Sequence, residues 1–421
     1  MPGFRVVIFS AILIALQTFV YLQFIKYLKT TKFYKPNHRY WAAAPFIVFI
    51  GPFVLIALFW GNTFSPPAWF RSTGLTAFYI WMAATFFMSL WLLIGKLIKL
   101  PFKIPIWLLK IFPLTRRKVK SAAGHKTVMK VDYSRRQFIR YATFAASAYA
   151  FAGATYGVLK HDKYEIDTRD IKIDNLPPAL KGTTVTLLSD IHAGQYMTES
   201  DMREYAEVVN SLGSDIICIP GDFVNSLRED AKPVAKAFRD LKAPYGIYGS
   251  LGNHDFFQDP GYVADVINAE SPIQVLRNRH RKVNIKGHDL YILGLDDTMS
   301  SGAGQNNVVL KYFDDMSAFL KTNEITFESA PKLLLCHKPY AFDDFARRDV
   351  DLILSGHTHG GQVVPFKMGS INISFAALVS KYIEGHYKIG KANMYVSRGI
   401  GSVGLPIRLN CPPEITKITL V

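Results

Sequence analysis

Residues 352–362 read LILSGHTHGGQ, an apolar strand running into two histidines one residue apart among glycines. Side chains two apart just past a strand leave the same edge, so His357 and His359 can face one point. Such a pair is either a set of metal ligands or two polar loop residues, and partners decide between the readings. Partners exist. TTVTLLSDIHAG breaks at Asp190 and His192, SDIICIPGDFV at Asp222, APYGIYGSLGNHDFF at Asn253, His254 and Asp255, and PKLLLCHKP at His337. Each apolar run thus ends in polar groups, at the strand ends where open α/β sheets keep their sites. With His254 set aside, the candidate ligands are Asp190, His192, Asp222, Asn253, His337, His357 and His359. Oxygen and imidazole donors in this mixture suit Mn, Fe or Zn better than calcium, which prefers oxygen alone. Two divalent ions sharing one bridging carboxylate would use the whole set.

The elements that must position these groups begin near residue 161, where strands alternate with helical stretches and Gly/Asp-rich turns. MTESDMREYAEVVNSLGSD opens with Thr198 or Ser200 ahead of acidic residues, a capping-box start. The repeated strand–helix pattern predicts an α/β domain over 161–421.

The preceding part of the 421-residue chain is different. Formal net charge is +16, yet residues 1–160 hold 21 Lys/Arg against one acidic residue, Asp132, leaving 28 against 32 for the remainder. The excess lies among long apolar runs, so it reads as membrane topology and not as a groove for nucleic acid, which is not expected as a partner. Runs at 6–25, 41–61 and 74–95 are long enough to cross a bilayer, and a weaker Ala-rich fourth spans 138–158. Lys26 to Arg39 follow the first span and Lys96 to Arg140 follow the third, whereas the loop NTFSPPAWFRST has only Arg71. The basic loops belong in the cytoplasm. Four crossings then put the large domain on the extracytoplasmic, periplasmic side of a multi-pass cytoplasmic-membrane protein; a fourth segment lying flat on the membrane would leave it in the cytoplasm. The expected division is a membrane domain over 1–115, a basic segment with the fourth helix over 116–160, and the α/β domain over 161–421.

Ser134-Arg135-Arg136-Gln137-Phe138 before the fourth span resembles the bacterial twin-arginine export motif, which implies the twin-arginine machinery as a partner, although two arginines there also satisfy the positive-inside rule. Cys218, Cys336 and Cys411 have no CxxC spacing and read as free structural thiols. His38, His125, His161, His280, His288 and His386 fall outside the strand-end pattern and read as surface or core residues.

DIH, GDFV, GNHD, the later His337 and GHTHGGQ, taken in order, resemble the calcineurin-like metallophosphoesterases over roughly 180–421. The ending YVSRGIGSVGLPIRLNCPPEI is similar to membrane-associated bacterial members. The resemblance implies a four-layer α/β sandwich, two mixed sheets flanked by helices, preceded here by an all-α membrane domain. It implies a phosphoric ester hydrolase with two metal ions that activate a hydroxide. Asp190, His192 and His359 would bind one ion, Asn253, His337 and His357 the other, and Asp222 would bridge them. His254 would contact the phosphate and protonate the leaving oxygen, with Asp255 as its orienting partner. Asp296 and Asp297 could orient imidazoles or form an ordinary turn; Arg398 and Arg408 could meet a substrate phosphate or form structural ion pairs. The membrane tether favours a phosphodiester or a lipid- or envelope-linked phosphate as substrate. A cytoplasm-facing pyrophosphatase of nucleotide-linked lipids and a non-catalytic metal-binding sensor are the alternatives.

Overall fold

The structure, a computed structural model, describes residues 2–59, 73–109, 111, 126–298, 303–369 and 371–421. The chain divides into two compact units, Met1–Leu159 and Lys160–Val421. The first unit contains helices Pro2–Leu28, His38–Phe59, Leu75–Leu97, Leu100–Leu109 and Lys126–Leu159. Ser10–Leu28 and Leu75–Leu97 are long and apolar enough to cross a membrane. They pack through a buried Gln17 amide that donates to Thr85 Oγ1 at 2.6 Å and through Trp81, which stacks on Phe49 and meets Phe46 edge-on. Ile12, Ile14, Leu22, Ile47 and Trp91 face outward.

The last two residues of the expected span 41–61, the Arg71 loop apart from Thr73, and residues 116–125 of the basic segment lie outside the described residues. From Lys126 onward, the segment expected to separate the two domains is one 34-residue helix of the first unit, and the SRRQF sequence lies inside it.

The second unit is built on strands β1 (Glu165–Ile171), β2 (Thr184–Leu187), β3 (Ile216–Ile219), β4 (Ile247–Gly249), β5 (Ile273–Val275), β6 (Arg279–Ile285), β7 (His288–Gly294), β8 (Lys332–Leu335), β9 (Leu352–Ser355), β10 (Phe366–Met368), β11 (Ile371–Ile373), β12 (Gly385–Ile389), β13 (Ala392–Val396) and β14 (Glu414–Leu420). One six-stranded sheet has the order β1-β14-β2-β3-β4-β5, the other β12-β13-β9-β8-β7-β6, and β10 with β11 forms a separate ribbon. Both large sheets are mixed. β2 to β5 are parallel, as are β7, β8, β9 and β13, while β14 runs against β2 and β6 and β12 are antiparallel edges.

Side-chain alternation makes the layers. In β3, Ile216 and Cys218 enter the core between the sheets, while Ile217 and Ile219 pack outward among Met202, Tyr205, Val234 and Phe238. In β8, Leu333 and Leu335 face inward and Leu334 faces outward among Val309, Phe313, Met316 and Phe342. The result is helix, sheet, sheet, helix. Strands buried on both faces must be apolar at every position, which is why IICI and LLL read as unbroken runs. Each such Leu or Ile contributes roughly 1.5–3 kcal/mol by leaving water. Helix Glu199–Ser211 starts at Thr198, whose hydroxyl accepts the Asp201 N–H while the Asp201 carboxylate accepts the Thr198 N–H. Cys218, Cys336 and Cys411 are free and buried.

Candidate metal centre

The loops that follow β2, β3, β4, β8 and β9 carry all the candidate ligands. They do so in an unusual backbone conformation. Asp190, His192, Asp222, His357 and His359 have φ of 52°, 49°, 56°, 72° and 51°, the left-handed region that side chains avoid. Each such residue costs on the order of 1–3 kcal/mol and persists only where the surroundings over-determine it. Backbone bonds supply that constraint: Asp190 N–H donates to Gly221 O at 3.2 Å and His192 N–H to Asp222 O at 3.0 Å. Glycines let the loops close. A Cβ on Gly252 would overlap the Asp222 carboxylate, and one on Gly356 would overlap Asp190 Oδ2 and Ser189 Oγ.

The side chains converge. Asp190, His192 and His359 form one group able to hold an ion, and Asp222, His337 and His357 form another. His192 Nε2 and His359 Nε2 are 3.0 Å apart, a gap that two metal–nitrogen bonds of ~2.1 Å would span. Asp222 joins the groups: its Oδ2 lies 3.4 Å from His192 Nε2 and 3.2 Å from His337 Nε2. Asp190 Oδ1 is 3.5 Å from His359 Nε2 and 4.0 Å from both His192 and His337. Buried Asn253 Oδ1 makes no hydrogen bond, a cost that a cation would relieve, and the Nε2 atoms of His192, His359 and His337 crowd the Asp222 and Asp190 carboxylates as ligands around an ion would. Nitrogen and oxygen donors around a shared carboxylate fit two borderline divalent ions.

Electrostatics prepares the imidazoles. Burial pushes His192 and His359 down to about 3 and holds His357 well below the usual histidine range, so these rings are neutral and can bind metal. Burial alone would also lower His337, but Asp222, Asp190 and Asp297 outweigh it and raise that ring to about 10. Asp222 is the partner of that proton: burial opposes its ionisation, yet His337, His192 and His254 hold it well below the carboxylate range. A cation would take the proton's place between them.

Hydrogen bonds on the far side of each ligand fix its aim. His337 Nδ1 faces the Pro220 carbonyl at 2.8 Å, turning Nε2 to the centre. Ser189 donates its hydroxyl to Asp190 Oδ2 at 2.7 Å, and the His357 N–H donates to Asp190 Oδ1 at 2.8 Å. The His254 N–H donates to Asp222 Oδ1 at 2.8 Å, leaving Oδ2 for the imidazoles. The half-buried His254 ring sits edge-on to His192 with centroids 4.6 Å apart, and its Nδ1 lies 2.8 Å from the Asn225 carbonyl.

That last contact corrects the expectation for Asp255. Its carboxylate accepts N–H groups from Asp222 at 3.0 Å, Val224 at 3.1 Å and Gly252 at 2.9 Å, and it is Asn225 that orients His254. Asp255 is the third residue of the short helix Asn253–Gln258, so its side chain folds back on the helix start and away from its neighbour. Burial and Asp222 raise its carboxyl to about 8, the N–H groups of Gly252 and Val224 partly opposing them. Asp296 pairs with Arg277 at 3.0 Å and Asp297 with Lys338 at 3.1 Å; neither is the group on His337 Nδ1. Arg398 pairs with Glu414 and Glu165, and buried Arg408 donates to the carbonyls of Arg398, Gly399 and Gly401 while lying 3.4 Å from His359 Nδ1. Both arginines are therefore structural. The carbonyls of Pro220 and Asn225 left no sequence signal, because every residue has one; the Ser189 hydroxyl was readable only as the residue before DIH.

A protein-family model described as calcineurin-like phosphoesterase matches residues 183–361. The chain is 30% identical over 257 residues to an uncharacterized metallophosphoesterase of Campylobacter jejuni, covering 61% of this chain and 63% of that protein. It is 32% identical over 263 residues to a zebrafish transmembrane protein with metallophosphoesterase domain, covering 60% of this chain and 56% of the relative. The match therefore spans less than two thirds of these two relatives. An uncharacterized metallophosphoesterase of Bacillus subtilis is 30% identical over 296 residues, 68% of this chain and 97% of that protein. Because two thirds of this chain matches nearly the whole of the Bacillus protein at 30% identity, and the family model spans every candidate ligand from Asp190 to His359, the chain belongs to the calcineurin-like metallophosphoesterase family.

Proposed function

We propose that this chain is a membrane-anchored phosphoesterase that uses two divalent ions to hydrolyse phosphate esters, diesters above all, presented at a membrane or in the cell envelope. The observation that carries the reading is Asp222, whose one oxygen faces imidazoles of both ligand groups at 3.4 and 3.2 Å. Asp190, His192 and His359 would hold one ion, and Asn253, His337 and His357 the other. When bound, Mn, Fe or Zn supplies Lewis acidity toward phosphoryl oxygens and lowers the pKa of water for in-line attack. The chain's own groups do the rest. Asp222 N–H to Asp255 and His254 N–H to Asp222 keep the shared carboxylate from turning. His254 Nδ1–H donates to the Asn225 carbonyl, which turns Nε2 outward; the ring in its doubly protonated form would give the Nε2 proton to the departing alkoxide and be left neutral.

Membrane anchoring is supported by the two apolar helices and by the zebrafish relative's description as a transmembrane protein. The Lys/Arg distribution supports an extracytoplasmic catalytic domain, and Ser134–Phe138 supports export through the twin-arginine machinery. If so, replacing Arg135 and Arg136 by lysine removes the domain from the reach of external protease. The hydrolytic reading is tested by turnover of an aryl phosphodiester by the full chain loaded with Mn, Fe or Zn in turn, beside Asp222→Asn. Turnover that the variant abolishes is expected; none with any of the metals would leave a binding role instead.

A further inference from the structure

The ribbon of β10 and β11 has its polarity reversed. Its register pairs Phe366 with Ile373, Lys367 with Asn372 and Met368 with Ile371. Cross-strand partners share a face, so Phe366, Ile373, Met368 and Ile371 form one apolar face and Lys367 with Asn372 the other. An antiparallel pair with one wet side normally turns its apolar face inward. Here the polar face points to the protein: the Asn372 amide donates to the Gly360 carbonyl at 3.1 Å, and Lys367 Nζ lies 2.6 Å from Glu384. The four apolar side chains are 48–60% exposed, and Leu378 and Val379 just beyond are 79% and 74% exposed. A contiguous apolar patch of this kind marks a surface with an apolar partner.

We infer that this face docks on the surface of a lipid bilayer. The four side chains stand out from a projecting two-stranded ribbon, a shape suited to the acyl–headgroup boundary. From Gln362 to Tyr382 the charged residues are Lys367 and Lys381, and each is neutralised by an acidic side chain, Glu384 at 2.6 Å and Asp343 at 2.8 Å, so burying the apolar face strands no unpaired charge. A bilayer is the apolar partner to expect because the same chain carries two helices long and apolar enough to cross one. The docking surface continues into the centre: Asn372 bonds the backbone of the HTHGG loop, and Gly361 in that loop lies so close to Ser374 that a Cβ would overlap it. A ribbon seated in the interface would hold that loop at headgroup depth, which selects phosphoesters of membrane lipids as substrates.

The inference rests on the proposed membrane anchoring, and the two can fail separately. Ile371→Cys and, as a second position on the same face, Ile373→Cys are labelled with an environment-sensitive fluorophore in the full chain; the three native cysteines are buried. The protein is reconstituted in phosphatidylglycerol/phosphatidylcholine vesicles with or without bromolipids, with Ile325→Cys, fully exposed in the same domain, for comparison. Bromolipid quenching at 371 and 373 should exceed that at 325 by roughly two- to threefold, as for side chains reaching the acyl boundary. Equal quenching at all three, or no bromolipid quenching at 371 and 373, overturns it. So does cross-linking of unlabelled Ile371→Cys between two chains in the vesicles, which would assign the face to a second protein copy. Extraction with alkaline carbonate reports on anchoring by itself.

Discussion

Gly356→Ala is the sharpest test of how the ligand loops are held. The added methyl would fall well inside the 3.0 Å that real Cβ atoms respect, against both Asp190 Oδ2 and Ser189 Oγ. Neither neighbour can give way cheaply, because Asp190 is fixed in a left-handed conformation and its oxygens accept the His357 N–H at 2.8 and 3.1 Å. Overpacking should cost ~1–3 kcal/mol and the strained N–H to carboxylate bond about another 1 kcal/mol. For a domain of this size that is a fall of about 4–16 °C in Tm. Movement of Asp190 by about 1 Å should lower turnover on the order of a hundredfold. Asp190 belongs to one ligand group and not the other, so bound metal, measured on the purified protein by plasma mass spectrometry, should drop preferentially at one of two sites. Gly213→Ala is the control: its φ is +57° but a Cβ there meets nothing within 4 Å, so it should lose stability by backbone strain alone and keep its metal. Full metal content and unchanged turnover in Gly356→Ala would refute the packing argument.

Other outcomes follow from single contacts. His254→Gln should keep bound metal yet lower kcat by roughly 10²–10⁴ on alkyl diesters, and much less on a 4-nitrophenyl ester whose leaving group needs no proton; equal losses on both would remove its acid role. Asp255→Ala strands the N–H groups of Asp222, Val224 and Gly252, each worth ~1–3 kcal/mol, so thermal unfolding should shift down sharply while Asp255→Asn recovers part of the loss. Burial raises the half-buried Asp230 carboxyl from 3.8 to about 6, the backbone of Leu227 partly opposing it. The folded protein therefore holds that proton more tightly than the unfolded chain, and the associated stability, complete below about pH 4, is lost as pH rises through 6. Asp230→Asn should melt higher than the natural protein at pH 8 and at the same temperature at pH 4.

The residue types at the centre were readable in the chain because metal chemistry dictates them. Few side chains bind divalent ions, and five apolar strands each ending in one or two of them leave little room for another reading. The sheets were readable for a related reason: strands buried on both faces must be apolar throughout, as IICI and LLL are. Asp255 was misread because adjacency in sequence is a poor guide to contact, and its carboxylate turns back to the helix start where the loop of Asp222 happens to pass. Backbone carbonyls such as those of Pro220 and Asn225 are common to every residue and gain a role only from position.

What the sequence determined, then, was the inventory of donors and the strands that deliver them, since both follow from local chemistry and periodicity. Tertiary structure decided the left-handed turns at Asp190, His192, Asp222, His357 and His359, the carboxylate shared between two imidazole groups, and which face of the FKM and INI strands looks outward. Those outcomes depend on segments more than a hundred residues apart meeting in space, and on glycines allowing their backbones to approach. Alternation within a three-residue strand marks two faces but cannot say which one the protein covers.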